Sequence, residues 1–474
     1  MSFRPKVEPR PYQRSAVAWL AKRGHGALLL DTRTGKTKIA IDWLSWLNVN
    51  RRLTTAVVIC PKIAIDVWLN ELKANWWGDA YTVYDLRHDY ANPRKNSLAG
   101  QWPSPKTWTH EHMRIVLIPV SVFSRECVKV MRGIHSLNPA RSACVLDESH
   151  LIKTPASKRS RRIAGLGKYF EYRLAMTATP VSKRGKIDEV YPQWRFIDPS
   201  VTDKWPTARS FREYFGLWDE SMGWPRFIGP IHTAEYAELI ASQSIALSRE
   251  DALGLEPVEH HYHEVEMPQD LRDLYKALVK DKPYALAEAG LEPPEHIFGK
   301  FIMSQRMADG CVPTADGHYK VWGHKLGLML SLLTDKTIVC CNFLAELRMV
   351  RRHIERAGRP VIVVSGATKD KNGELERFLE TDRAVLVVQP SVVAVAVDLA
   401  SADRVVWFSV PTSWILYRQM SDRIALNPRQ PQSHMIVTTG TSDVSLKEGL
   451  VEARGYRQDL LREPEKFLAG GLYK

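Results

Sequence analysis

Short apolar runs rich in β-branched residues recur along this chain with helix-patterned stretches between them, at residues 27–30, 56–60, 115–118, 143–146 and 174–176. A second series follows at 337–341, 361–364, 384–388, 404–408 and 435–438. Strand-length apolar runs alternating with helical patterns predict parallel sheets covered by helices on both faces. Two such series predict two α/β domains in tandem, residues 1–198 and 328–474. Between them, residues 199–327 are punctuated by tryptophan, proline and glycine and include a helical stretch at 269–280, which reads as a mostly helical insertion or linker. The alternation at 260–267 suggests a strand within it, and residues 445–461 predict a closing helix.

Composition narrows the class. At 474 residues the chain exceeds one core, and 45% apolar with 25% charged residues is an ordinary globular balance. No long uncharged apolar run could span a membrane, and the opening MSFRPKVEPR is unlike a signal peptide. The six cysteines show no CxxC pair or metal spacing, so they read as reduced core residues of a cytoplasmic protein. A formal charge of +13 suggests a polyanionic partner, with a solvated basic surface as the alternative. Most of the fifteen tryptophans, such as Trp43, Trp46 and Trp407, fit core positions rather than base-stacking platforms. His260, His261 and His263 fit strand alternation better than a zinc site.

Two strings carry chemistry. DTRTGKT, Asp31 to Thr37, follows the apolar run 27–30 and precedes the helical pattern 39–47, which reads as strand, phosphate loop, helix. Thr34, Gly35, Lys36 and Thr37 form its tip. Lys36 would reach the β- and γ-phosphates of a nucleoside triphosphate, and the Thr37 hydroxyl would bind magnesium. Leu30 stands where a literal phosphate-loop pattern has a small residue, and Arg33 where many related loops have glycine. VLDESH, at 145–150, places Asp147 and Glu148 at the end of the strand run 143–146, where α/β sheets bind ligands. Asp147 is the magnesium-side carboxylate and Glu148 the candidate base for an attacking water.

Outward from these strings the chain resembles superfamily 2 helicases, and within them the Swi/Snf-type DNA-dependent ATPases. Arg10-Pro11-Tyr12-Gln13 with Trp19 resembles that group's adenine-recognition motif, Gln13 reading the base edge beside Tyr12. Cys60-Pro61, Trp68 and Glu71 match the segment after the second strand, and DESHLIKTPAS matches the Swi/Snf type rather than RNA helicases. Thr177-Ala178-Thr179-Pro180 resembles the motif coupling the nucleotide site to the nucleic-acid path, with hydroxyls in reach of the Asp147/Glu148 strand end. Ser365-Gly366-Ala367, Arg377 and Phe378 resemble a second-domain segment. Gln419, Asp422 and Arg423 match the first half of the terminal arginine motif, Arg423 being the finger that stabilises charge on the γ-phosphoryl group.

The resemblance implies two RecA-like domains, ATP and Mg2+ as cofactors, and DNA, duplex or single-stranded, tracked through its backbone. Lys62, Lys153, Ser157 and Lys158 would contact phosphates, and Arg159, Arg161 and Arg162 extend a basic run that a solvated helix face would equally explain. A targeting or replication/recombination protein is a further expected partner. The form resembles compact motors of bacteriophages and mobile elements, which would place it in the host cytoplasm. An RNA helicase is one alternative, disfavoured by the Ile-Lys spacing after His150, and departures from the pattern keep open another, an ATP-gated nucleic-acid clamp with little turnover. Leu426 replaces the second arginine, with Arg429 the candidate substitute after Pro428. Ala394 and Ala396 replace glycines, and Asp398 an asparagine.

If about five phosphates are neutralised on binding, log affinity for DNA falls with log salt at a slope of roughly −4 to −5. An anisotropy titration across salt concentrations measures this, and a slope near zero removes the nucleic-acid track.

Overall fold

The computed structural model describes residues 4–87, 112–124, 128–181, 187–219, 221, 226–393, 399–427 and 429–462. Cys127, Pro428 and the segment holding Ala394, Ala396 and Asp398 lie outside them. The chain divides into two compact units, the first ending at Gly254 and the second spanning Leu255–Arg454.

The first unit is built on β1 (His25–Leu30), β2 (Thr55–Cys60), β3 (Tyr81–Asp85), β4 (Met113–Pro119), β5 (Ser142–Asp147), β6 (Tyr172–Met176) and β9 (Ser244–Leu247). A small antiparallel hairpin, β7 (Gly216–Asp219) and β8 (Arg226–Pro230), lies between the last two in sequence. The seven strands form one parallel sheet ordered β3-β4-β2-β5-β6-β1-β9. Every residue of β2, β4 and β5 is buried, as parallel strands covered on both faces require. Successive side chains divide between two cores. Leu29, Val57, Ile59, Cys144 and Leu146 join one face, while Leu28, Leu30, Val58, Ala143 and Val145 join the other. Helices α1 (Pro11–Arg23), α2 (Lys36–Val49) and α3 (Ile65–Asn75) supply apolar residues to the second of these cores. A Cβ on Gly26 would meet the Trp19 ring at 2.4 Å, so that glycine admits the indole against β1.

The second unit repeats the plan. Its strands are β10 (Glu259–Val265), β13 (Thr337–Cys340), β14 (Val361–Val364), β15 (Val385–Val388), β16 (Arg404–Trp407) and β17 (Gln432–Thr438). They form a parallel sheet ordered β10-β17-β16-β13-β15-β14. An antiparallel pair, β11 (Cys311–Pro313) and β12 (Tyr319–Val321), stands apart from it. A closing helix spans Ser442–Arg462.

The 199–327 stretch holds helices such as Gln269–Val279 and Ile297–Ala308, and it also supplies an edge strand to each sheet, β9 to the first and β10 to the second. His261, His263 and His434 stack across β10 and β17, and His263 Nε2 lies 2.8 Å from His434 Nδ1, a hydrogen bond between rings. Among the described residues no histidine, cysteine and carboxylate cluster could hold a metal ion, and the cysteines at 60, 144, 311, 340 and 341 are buried free thiols. No described helix is long and apolar enough to cross a membrane.

A buried ion network holds the second unit together. Lys325, 0% exposed, donates to Asp309 (2.7 Å), Asp443 (2.8 Å) and the Phe408 carbonyl (3.1 Å). Burial opposes its charge, but the two carboxylates outweigh that and hold the ammonium above its usual range. Burial pushes the carboxyls of Asp309 and Glu346 above their usual range, and the Lys325 charge draws both back. Removing one partner of such a buried network costs about 3–5 kcal/mol, because the remaining charges stay desolvated. Lys325→Met should therefore lower the unfolding free energy of the second unit by that amount, read as a fall in denaturant midpoint by tryptophan fluorescence of the whole chain.

Candidate functional site

The loop after β1 turns on two left-handed residues. Gly35 has φ +74° as the residue capping α2, and a Cβ there would also meet Gln13 Nε2 at 2.4 Å. Arg33 adopts φ +64°, so the loop takes the left-handed path at that position with an arginine in place of glycine. The loop is held from several sides. The Thr34 hydroxyl donates to the Asp31 carbonyl (2.7 Å), and the Asp31 carboxylate accepts the Arg249 backbone N–H (3.1 Å). From α1, Tyr12 Oη (2.7 Å) and Gln13 Nε2 (3.2 Å) both donate to the Thr34 carbonyl, while Gln13 Oε1 accepts the Arg10 backbone N–H (2.9 Å). Gln13 thus fixes the loop to α1 through the amide expected to read a base. Lys36 Nζ lies 3.0 Å from the carbonyls of both Leu30 and Asp31, and Thr37 is half-buried in the first turn of α2. That helix runs for 14 residues, and its first backbone N–H groups point toward the loop as an anion-binding end.

Asp147 ends β5, one strand removed from β1 across β6. Trp68 Nε1 donates to its Oδ2 (2.9 Å), and the Glu148 backbone N–H donates to Oδ1 (3.0 Å). Burial pushes the Asp147 carboxyl up to about 6, Glu148 adds to the rise, and the Trp68 hydrogen bond and the Lys36 charge pull it back. The electrostatic influence of Lys36 on Asp147 brings the two sequence strings into one site. Glu148 sits at φ +53°, a left-handed turn that swings its carboxylate out of strand direction. Its Oε2 lies 3.1 Å from His150 Nδ1, and the Thr177 hydroxyl lies 3.1 Å from the same nitrogen. Thr177 therefore reaches the carboxylate side through His150. Its oxygen also accepts the Thr179 N–H (3.0 Å), and its own N–H donates to the Leu28 carbonyl of β1 (3.1 Å).

Hydroxyl and carboxylate oxygens are hard donors of the kind magnesium prefers, and Asp147 is a buried carboxylate whose ionised form a nearby dication would favour. Thr37 and Asp147 fit that ion. Among the other expected residues, Lys62 is exposed in the turn after β2, and Lys153 is half-buried in the turn after β5. β2 and β5 are neighbours, so both lysines rise from the same edge of the sheet. Ser157 caps the helix Lys158–Ala164, accepting the Ser160 N–H (3.1 Å), and Lys158 is exposed on its first turn. Arg159 and Arg162 donate to the Leu151 and Phe123 carbonyls, a packing role, while Arg161 is exposed.

In the second unit, Gln419 lies on the helix Trp414–Ser421 and Arg423 follows it, both half-buried. Asp422 is buried and accepts from Arg418 Nε (3.2 Å). The Gly366 N–H donates to Gln389 Oε1 (3.0 Å), and Gln389 Nε2 donates to the Asn342 carbonyl (3.2 Å), tying together the ends of β14, β15 and β13. Arg377 lies exposed on a helix whose buried face carries Phe378. Leu426 is half-buried, and Arg429 is exposed with its guanidinium 3.8 Å from Asp403.

Three residues that sequence reasoning passed over support the site. Trp68 belonged to a noted spacing, but nothing in that spacing says its indole meets Asp147. Gln193 accepts the Ser149 hydroxyl (2.7 Å) and donates to the Pro180 and Glu189 carbonyls, joining the turns after β5 and β6. Arg249, 2% exposed, begins a short helix whose first N–H holds Asp31. Its neighbours Glu250 and Asp251 give it the look of a surface helix start.

A strand, loop and helix facing a carboxylate at the end of a nearby parallel strand is the arrangement of phosphate-loop proteins. Residues 12–293 match the SNF2-related domain and residues 324–425 the helicase conserved C-terminal domain, and the chain belongs to the SNF2-related family. It is similar to Protein CHROMATIN REMODELING 19 of Arabidopsis thaliana, 28% identical over 40% of this chain and 25% of that protein. It is also similar to TATA-binding protein-associated factor mot1 of Aspergillus fumigatus, 25% identical over 59% of this chain and 13% of that protein. The chain thus spans a quarter or less of the length of these relatives. The Sulfolobus solfataricus SWI2/SNF2 ATPase core in complex with dsDNA aligns at 17% identity over 100% of this chain and 97% of that one, with a TM-score of 0.44.

Outer partners of metal ligands typically change metal affinity by about 10- to 100-fold. Trp68→Phe keeps the packing and removes the donor to Asp147. It should raise the magnesium concentration for half-maximal ATP hydrolysis by roughly tenfold, while the maximal rate at saturating magnesium changes little.

Proposed function

We propose that this protein is an ATP-dependent DNA translocase that couples hydrolysis to movement along a DNA strand, remodelling or unwinding DNA or displacing bound protein. The observation that carries the reading is that Lys36, after β1, and Asp147 and Glu148, at the end of β5, stand at the same end of one parallel sheet, Asp147 being buried and the other two half-buried. Membership of the SNF2-related family supports ATP as the fuel. The net charge of +13 and the exposed lysines at 62 and 158 support a polyanionic track.

In this reading the α2 N-terminus and Lys36 bind the phosphates, with Tyr12 and Gln13 setting the height of the loop. Magnesium, held by Thr37 and Asp147, would neutralise charge on the β- and γ-phosphates. Glu148 accepts a proton from the water that attacks the γ-phosphorus as the bond to the β-phosphate oxygen breaks, and His150 orients its carboxylate. Arg423 and Gln419 are the proposed contributors from the second unit. Thr177 and Thr179 couple the site to the turn after β6, and Lys62, Lys153, Ser157 and Lys158 contact backbone phosphates. Backbone contacts suit a motor, because base contacts would hold it at particular sequences. An ATP-gated clamp is the second reading, favoured by the half-buried Leu426 and by an Arg429 placed beside Asp403.

The decisive assay compares phosphate release with single-stranded, duplex and forked DNA and with RNA. DNA should stimulate release and RNA should not. Glu148→Gln should lower the DNA-stimulated rate by at least about 100-fold, the scale of a lost general base, while ATP binding persists. An unchanged rate in that variant removes the hydrolytic role, and no stimulation of the unmodified protein favours the clamp.

A further inference from the structure

The helix Leu344–Arg356 of the second unit carries two unlike faces. Leu347, Val350 and Ile354 pack into the core, while Arg348, Arg352 and Arg356 are exposed at successive four-residue intervals. At 1.5 Å per residue these guanidinium groups spread along about 12 Å of one stripe. They line a groove of about 530 Å³ whose opposite wall is the β11–β12 pair, with His353 and His318 adding further nitrogen donors and Tyr319 set in the wall. The lining contains no carboxylate. The helix's own exposed acid, Glu355, is engaged by Arg351, which is outside the lining. Tyr319 is 44% exposed, an aromatic ring left open to solvent beside three arginines.

A row of arginines without acids among the lining residues is complementary to a row of phosphates, and a neighbouring open aromatic ring is what an unpaired base stacks on. The groove has the volume of a small-molecule site, roughly 300–1,000 Å³ in general, so it admits one or two nucleotides and their flanking phosphates rather than a duplex. We propose that this groove holds a single DNA strand, Arg348, Arg352 and Arg356 binding consecutive phosphates and Tyr319 stacking on a base. The inference rests on DNA being the partner, and it adds a second contact separate from Lys62, Lys153, Ser157 and Lys158. It gives the second unit a holding point for a strand that the loop residues of the first unit do not engage.

The test uses the full chain and a fluorescein-labelled single-stranded DNA oligonucleotide, with anisotropy titrations at several salt concentrations. The variant R348Q/R352Q/R356Q should bind at least about tenfold more weakly and show a salt slope shallower by roughly 2, three single-strand phosphates at about 0.7 each. Tyr319→Ala should weaken binding by about fivefold or more, and Tyr319→Phe should restore it, since the ring and not the hydroxyl stacks. Arg351→Gln, on the neighbouring face, should bind as the unmodified protein does, and basal ATP hydrolysis should stay unchanged in every variant. If the triple variant melts early, Arg352→Gln alone should still flatten the slope by roughly 0.7. Unmodified protein that binds the strand, with the triple variant binding it equally, overturns this inference and leaves the motor reading standing. Loss confined to duplex DNA overturns the single-strand assignment. Unmodified protein that binds no DNA overturns both.

Discussion

The chemistry proposed for the first unit depends on keeping one carboxylate charged in a place that disfavours charge. Asp147 lies at the end of a fully buried strand, where burial alone drives it toward the neutral acid. The surroundings act against that drift through the Trp68 indole, the Glu148 backbone N–H and the Lys36 ammonium. Each comes from a different segment, α3, the turn after β5 and the first residue of α2. The carboxylate is therefore a point where three parts of the unit must agree in position. In the proposed site a dication would complete what those partners begin.

Much of this was legible in the chain. The strand runs are apolar at nearly every position, so they are recognisable without knowing their partners, and the two strings follow two of them. The edge strands were harder. β9 is Ser-Ile-Ala-Leu, short and half-buried, and does not read as a strand, while β10 reads as one from its alternation but as part of the insertion, with nothing local to say that it pairs with β17. Local text also misleads where a tertiary partner decides. Arg33 carries an unfavourable side chain into left-handed backbone, and only the complete loop shows that it does so. The Trp68 contact spans 79 residues and the Gln193 contact with Ser149 spans 44, distances over which no spacing rule operates.

The second unit solves a related problem by a different route. Its charged interior is self-contained, with Lys325, Asp309 and Asp443 drawn from a connecting turn, a helix end and the closing helix. Burying ions is costly, but a network that demands three separate segments discriminates against misplaced alternatives. The same helix that buries Glu346 turns its arginines outward. One helix can therefore join a charged core on one side and present an electropositive surface on the other, because side chains a few residues apart point in different directions.

The order of strands in the first sheet has a consequence for how the protein comes into being. β1, which carries the phosphate loop, is synthesised before both of its neighbours, β6 and β9, at residues 172–176 and 244–247. At about 5–20 residues per second, ribosomes take roughly ten to forty seconds to reach the second neighbour after making the first strand. Until β6 is made both edges of this apolar strand are open, and one stays open until β9 follows, the condition under which nascent chains associate wrongly. Arg249, which holds Asp31, is made later still. The loop is therefore written well before the residues that hold it, so a chain interrupted before residue 249 would present the loop's sequence without all of its supports.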